Sequence, residues 1–119
     1  MSKDRIFDNS GFGGEHKLVP VLPVNGIIAQ LSPSEREKIL SNYDLKSFAK
    51  IFEDEDMMTT IDSFLSHGMN ISATARELYM HRNTLTYRLN KIKADTGLDI
   101  REFDKAVTFE ILRSLYKSK

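Results

Sequence analysis

Residues 82–93, RNTLTYRLNKIK, hold four bases (Arg82, Arg88, Lys91, Lys93), two amides (Asn83, Asn90), two threonines (Thr84, Thr86), a tyrosine (Tyr87) and no acid. Only Leu85, Leu89 and Ile92 are aliphatic. The stretch pairs no nucleophile with a base and no carboxylate with another, so catalysis is a poor fit. What it offers is a dense array of cationic and amide donors. Such groups fork onto the base edges and phosphates of a duplex.

The rest of the chain supplies no competing chemistry. There is no cysteine, which excludes disulfides, thiol catalysis and thiolate-bound zinc. His16, His67 and His81 are scattered, with none four residues from another. No metal site, no cofactor and no enzymatic activity are expected. Net charge is zero, with 17 bases against 17 acids, but the distribution is uneven. Residues 1–69 carry 7 bases and 11 acids, residues 94–119 carry five of each, and residues 70–93 carry five bases against Glu77 alone. The positive charge therefore collects around residues 82–93. No run approaches the ~18 apolar residues of a membrane span. The N-terminal MSKDRIFDNS has no signal-peptide apolar region. A cytoplasmic protein without membrane contact is expected.

The 119 residues suit a single core, and the pattern is mainly α. Residues 1–31 read as an irregular, weakly ordered lead-in or linker, and residues 32–119 as one helical domain. The lead-in holds glycines at 11, 13, 14 and 26 with Pro20 and Pro23, and residues 17–24 suit a short strand or extended segment. Its GFGG lacks the spacing of a phosphate-binding loop. Ser32-Pro33-Ser34-Glu35 predicts a capped helix start with Glu35 reaching back. Asp44 is placed to cap a helix through Phe52, burying Leu45, Phe48, Ala49 and Phe52. The acidic run at 53–56 then precedes a helix over residues 57–67 that buries Ile61, Phe64 and Leu65 and stops at Gly68. Asn70 or Ser72 caps a helix with Ile71, Ala75 and Leu78. A break at residues 79–81 follows, then a helix over 82–94 that Thr96-Gly97 ends.

Two short helices joined by about three residues make a helix-turn-helix, here at about residues 70–94. Ala75 is the small residue such a crossing needs, and Leu78, Met80, Leu85 and Leu89 would close its core. At about 100° per residue, Leu85, Leu89 and Ile92 occupy roughly 60° of arc. Asn83, Tyr87 and Asn90 point away, with Thr84, Arg88 and Lys91 on one flank and Arg82, Thr86 and Lys93 on the other. The expected partner is double-stranded DNA. Arg82 suits guanine and Asn83 adenine in the major groove. Thr84 and Thr86 suit phosphate or a thymine methyl. Tyr87, Arg88, Lys91 and Lys93 suit the backbone, as do Ser72, Thr74 and Arg76 of the first helix. The bland alternatives are a solvated basic face, a Tyr87 that covers a core edge, and a helix start shifted to Asn83. His81 reads as a residue at or beside the cap. Tyr79 occupies a turn position where φ is often positive, a conformation that costs a tyrosine on the order of 1 kcal/mol.

The run Asn70-Ile-Ser-Ala-Thr-Ala-Arg-Glu-Leu-Tyr-Met-His-Arg-Asn-Thr-Leu-Thr-Tyr-Arg-Leu-Asn-Lys-Ile92, followed by Thr96-Gly-Leu-Asp-Ile100, resembles the C-terminal helix-turn-helix of PucR/CdaR-type bacterial transcriptional regulators. More distantly it is similar to the DNA-binding unit of the Fis protein. The resemblance covers about residues 56–116. It implies sequence-specific regulation of transcription, with Arg82, Thr84, Thr86, Tyr87 and Arg88 on the DNA-facing helix and a non-glycine residue usual at position 79. In that family the module follows a sensory region. Only residues 24–41 echo one loosely here, so an effector-sensing region is expected to be absent from this chain.

A last helix is expected over residues 100–116, capped by Asp99. Ile100, Phe103, Ala106, Val107 and Ile111 would pack on the domain. Phe109, Leu112 and Tyr116 form a second stripe, either covered by the N-terminal helices or serving as the seam of a homodimer. The alternative to DNA binding is a helical protein–protein interaction or dimerisation module whose basic helix meets an acidic partner.

Overall fold

The computed structural model describes residues 6–7, 19–20 and 23–118 of the chain, with side chains described from Pro23 onward. Residues 11–14, the glycine-rich stretch, lie outside the described residues. A two-residue antiparallel ladder pairs β1 (Ile6–Phe7) with β2 (Val19–Pro20), setting Ile6 opposite Pro20. The helices follow as α1 (Val24–Ile28), α2 (Pro33–Leu40), α3 (Leu45–Phe52), α4 (Glu55–Ser66), α5 (Ile71–Glu77), α6 (Arg82–Thr96) and α7 (Phe103–Lys117).

Local chemistry explains most of these boundaries. At α2 the Ser32 hydroxyl accepts the Glu35 N–H at 3.1 Å, and the Glu35 carboxylate accepts the Ser32 N–H at 2.8 Å. This reciprocal capping box satisfies two N–H groups that a helix start otherwise leaves open. At α4 the Asp54 carboxylate accepts the Met57 N–H at 3.1 Å, so the acidic run initiates the helix and α4 begins two residues before Met57. Gly68, at φ 65°, and Gly97, at φ 83°, take the left-handed conformation that closes α4 and α6.

Three elements depart from the sequence-based expectations. Residues 24–28 form α1, which packs on α7 with Ile28 buried, so the helical unit starts before Ser32. Asp44 stands at the start of α3 without capping it, because its carboxylate accepts the Ser47 hydroxyl instead. Asp99 does not open the last helix. Its carboxylate accepts the Arg101 N–H at 3.0 Å in a turn, and α7 starts at Phe103, preceded by Glu102.

Both stripes expected of the last helix pack, the first only in part: Ile100 and Ala106 are buried and Ile111 is half-buried against the core. Phe109, Leu112 and Leu115 are buried, with 0%, 1% and 0% of their surface exposed, whereas Phe103 is 75% exposed and Val107 39%. Phe109 lies between Phe48 and Phe52 of α3, with centroids at 6.4 and 5.3 Å, and Tyr116 stacks on Phe52 at 5.1 Å. Such aromatic contacts add to the burial energy. The N-terminal helices α1 and α2 cover more of α7, and Arg113 forks onto Asp62 of α4 at 2.5 and 3.2 Å. The covering of the Phe109–Leu112 stripe by the N-terminal helices is thus the arrangement observed, and a dimer seam there is not. Among the described residues no helix is long and apolar enough to cross a membrane.

Leu112→Glu should consequently unfold the protein, since a carboxylate in this core has no partner; the expected loss is about 4 kcal/mol or more, read as a collapsed thermal transition by circular dichroism.

Candidate nucleic-acid interface

The paired helices are built from their ends inward. Asn70 Oδ1 accepts the Ala73 N–H at 2.8 Å and so starts α5, fixing the cap at Asn70 and leaving Ser72 exposed. Ala75 is 6% exposed where α5 meets α6. A leucine there would force the two backbones apart. After Leu78 the chain turns through Tyr79, whose N–H reaches Arg76 O at 3.2 Å, and Met80, whose N–H reaches Ala75 O at 2.9 Å. This 6→1 and 5→2 pair is the Schellman closure, which demands a left-handed residue at position 79. Tyr79 obliges at φ 52° and is 98% exposed. Gly68 fills the same place in the α4–α5 turn, where Met69 N–H reaches Phe64 O at 2.8 Å. Leu78 is half-buried, and Met80 packs on the core.

His81 caps α6, its Nδ1 accepting the Asn83 N–H at 3.0 Å. The helix therefore begins at Arg82, and Asn83 keeps its side chain free instead of serving as the cap. Leu85, Leu89 and Ile92 are each 0% exposed and form the inner seam. On the outer circumference Arg82, Asn83, Thr84, Tyr87, Asn90, Lys91 and Lys93 are exposed, and Thr86 is half-buried. Tyr87 is 68% exposed and covers no core edge. On α5, Ser72 and Arg76 are exposed. Arg82 Nη1 donates to Ser72 Oγ at 2.6 Å, which ties the two helices across their outer side. Lys91 shares its charge with Asp95 one turn on, at 3.2 Å.

Two residues expected on this face are elsewhere. Thr74 is completely buried, and its hydroxyl donates to the Asn70 carbonyl at 2.7 Å, because its position on α5 turns toward the core. It has no surface to offer a phosphate. Arg88 is half-buried, and its Nη1 donates to Thr60 Oγ1 of α4 at 2.7 Å. Arg101 is a further residue at this face: its Nη2 donates to Asn90 Oδ1 at 2.8 Å, and its Nε donates to Asp99 at 2.7 Å. Hydrogen bonding from Arg101 keeps the Asp99 carboxyl below its usual range. No local pattern marks the Arg88–Thr60 and Arg101–Asn90 pairs, since each joins residues that only the fold brings together. Among the described residues no group of histidine, cysteine or acidic side chains is arranged to hold a metal.

Comparison with known proteins agrees with this geometry. Residues 57–112 match the family described as the PucR C-terminal helix-turn-helix domain. The purine catabolism regulatory protein of Bacillus subtilis is 37% identical over 63% of this chain and 14% of its own length. The carbohydrate diacid regulator of Escherichia coli is 47% identical over 38% of this chain and 12% of its own. The proline-responsive transcriptional activator of B. subtilis is 29% identical over 66% of this chain and 20% of its own. The matched stretches thus span about a quarter or less of these relatives. No solved structure gives a significant match.

Because Tyr79 loses no packing when truncated, Tyr79→Gly should relieve more left-handed strain than it adds in unfolded-chain entropy. It should raise stability by about 0.5 kcal/mol in a denaturant titration. Gly68→Ala, at the matching position, should lower it by about 1 kcal/mol.

Proposed function

From the premise that residues 57–112 belong to the PucR C-terminal helix-turn-helix family, we propose that this protein binds double-stranded DNA in a sequence-specific manner as part of a bacterial transcriptional regulator. The observation that carries the reading is the exposure of Arg82, Asn83, Thr84 and Tyr87 on a helix whose seam is completely buried. In this arrangement the N-terminal half of α6 enters the major groove. Arg82 exchanges its bond to Ser72 for guanine O6 and N7, and Asn83 meets adenine. Thr84 and Thr86 touch the groove wall, while Tyr87, Lys91 and Lys93 meet the backbone and set the register. Ser72 and Arg76 approach phosphates from α5. Three relatives are regulators or activators by name: the purine catabolism regulatory protein, the carbohydrate diacid regulator and the proline-responsive transcriptional activator. A homodimer on paired half-sites completes the reading, with its contact away from the buried Leu112.

An acidic protein partner would be met by charge alone, whereas DNA is read by direction and shape. Selection of bound oligonucleotides from a random pool should yield a consensus site that outcompetes random duplex. With Arg76, Arg82, Lys91 and Lys93 on phosphates or bases, log affinity against log salt should fall with a slope between about −3 and −4 per module. Arg82→Ala should cost about 1–3 kcal/mol and relax preference at one base pair, while Lys91→Ala should weaken all sequences alike. A pool that returns no consensus would reject the assignment.

A further inference from the structure

The seam of α6 is narrow, and three aliphatic side chains within roughly 60° of arc resist sliding better than they resist rolling. Hydrophobic contact has no preferred direction. A rotation of about 15° would move a side-chain tip at the outer face by more than an ångström, enough to spoil a bidentate contact with a base. Something directional has to hold the roll.

Arg88 is placed to do it. Its position lies about 40° beyond the edge of the seam on the α4 side, and it is half-buried. The Nη1 group donates to Thr60 Oγ1 at 2.7 Å and approaches the Asp56 carbonyl at 3.4 Å. Thr60 is 1% exposed, and its own hydroxyl proton goes to that same Asp56 carbonyl at 2.9 Å. The hydroxyl therefore works both ways, as donor to the first turn of α4 and as acceptor from α6. A charged donor on a buried hydroxyl makes a stronger, more directional bond than a neutral pair. Withdrawing it would strand Thr60 as an unsatisfied acceptor.

We propose that Arg88 acts from inside the domain, through Thr60, as a positioning residue that fixes the rotation of the recognition helix, and that sequence discrimination depends on this buried threonine although it touches no DNA. The inference rests on the DNA-binding reading above. It also reassigns Arg88 from a phosphate contact to a brace.

The test compares the wild-type protein with Thr60→Val, Thr60→Ser, Arg88→Lys and Arg88→Gln. Each is titrated with the selected site and with random duplex over a range of salt, after its fold is checked by circular dichroism. Thr60→Val keeps shape and loses the acceptor. Its ratio of specific to random affinity should fall about tenfold, with random-DNA affinity and salt slope unchanged. Arg88→Lys keeps the charge but loses the longer reach and planar geometry of the guanidinium and should behave alike, whereas Thr60→Ser should retain wild-type discrimination. Arg88→Gln should leave the salt slope where it was. A Thr60→Val protein that discriminates like wild type, or an Arg88→Gln slope shallower by about one unit, would overturn the brace and restore Arg88 to a phosphate. If Thr60→Val does not fold, Arg88→Lys decides: undiminished discrimination there refutes the proposal. A wild-type protein that prefers no sequence would reject the DNA-binding reading itself, and the brace with it.

Discussion

Everything outward on α6 depends on the burial of Leu85, Leu89 and Ile92 behind it, none of which retains any exposed surface. At about 1.5–3 kcal/mol for each fully buried aliphatic side chain, the three contribute a large part of a small domain's net stability. Because they share one narrow stripe, most of the circumference is left to polar groups. The cost of that economy is weak control over rotation. Polar clasps stand on both sides of the helix to supply it: Arg88 onto Thr60 on one, and Arg101 onto Asn90, roughly 160° around, on the other. The outer face of α6 is thus held by apolar area in depth and by directed hydrogen bonds in angle.

The turn between α5 and α6 shows a second compromise. The same Schellman closure ends α4 and α5, yet glycine occupies the left-handed place in one and tyrosine in the other. A tyrosine that is 98% exposed gains little from packing to offset its backbone strain. The closure at this site is therefore enforced by its surroundings. Met80 must turn inward onto the core, His81 must present Nδ1 to the Asn83 N–H, and Ala75 permits the close approach on which both depend. The strain is local, and its benefit is the angle between the two helices.

Around this unit the remaining helices act as a frame. α4 carries Thr60 and Asp62, one received by α6 and the other by α7, so its polar residues link both neighbours. α7 is gripped along Phe109, Leu112 and Leu115 by α1, α2 and α3, and Tyr116 donates to Glu53 at the start of the acidic run. That run is spent on structure: Asp54 caps α4, and Asp56 offers its carbonyl to Thr60 and Arg88. Its charge lies beside the basic helix without neutralising the outer face, since the contact is to the α4 backbone and to a buried hydroxyl.

Much of this was legible along the chain because the forces involved are local. Caps at Ser32 and Asn70, the stops at Gly68 and Gly97, the small Ala75, and the three-residue seam all follow from spacings of a few residues, where hydrogen-bond reach and helical period decide the outcome. The exposure of Arg82, Asn83 and Tyr87 follows from the same period. What the chain alone left open was whether the Phe109–Leu112 stripe of α7 would be covered by the N-terminal helices, whether residues 24–28 would join the fold, and where Thr74 and Arg88 would point. Those depend on residues 28 to 89 positions apart in sequence, such as Arg88 with Thr60 and Ser114 with Asn25. Periodicity states that a face is apolar or a side chain is polar; only the packed neighbours decide what that face or side chain meets.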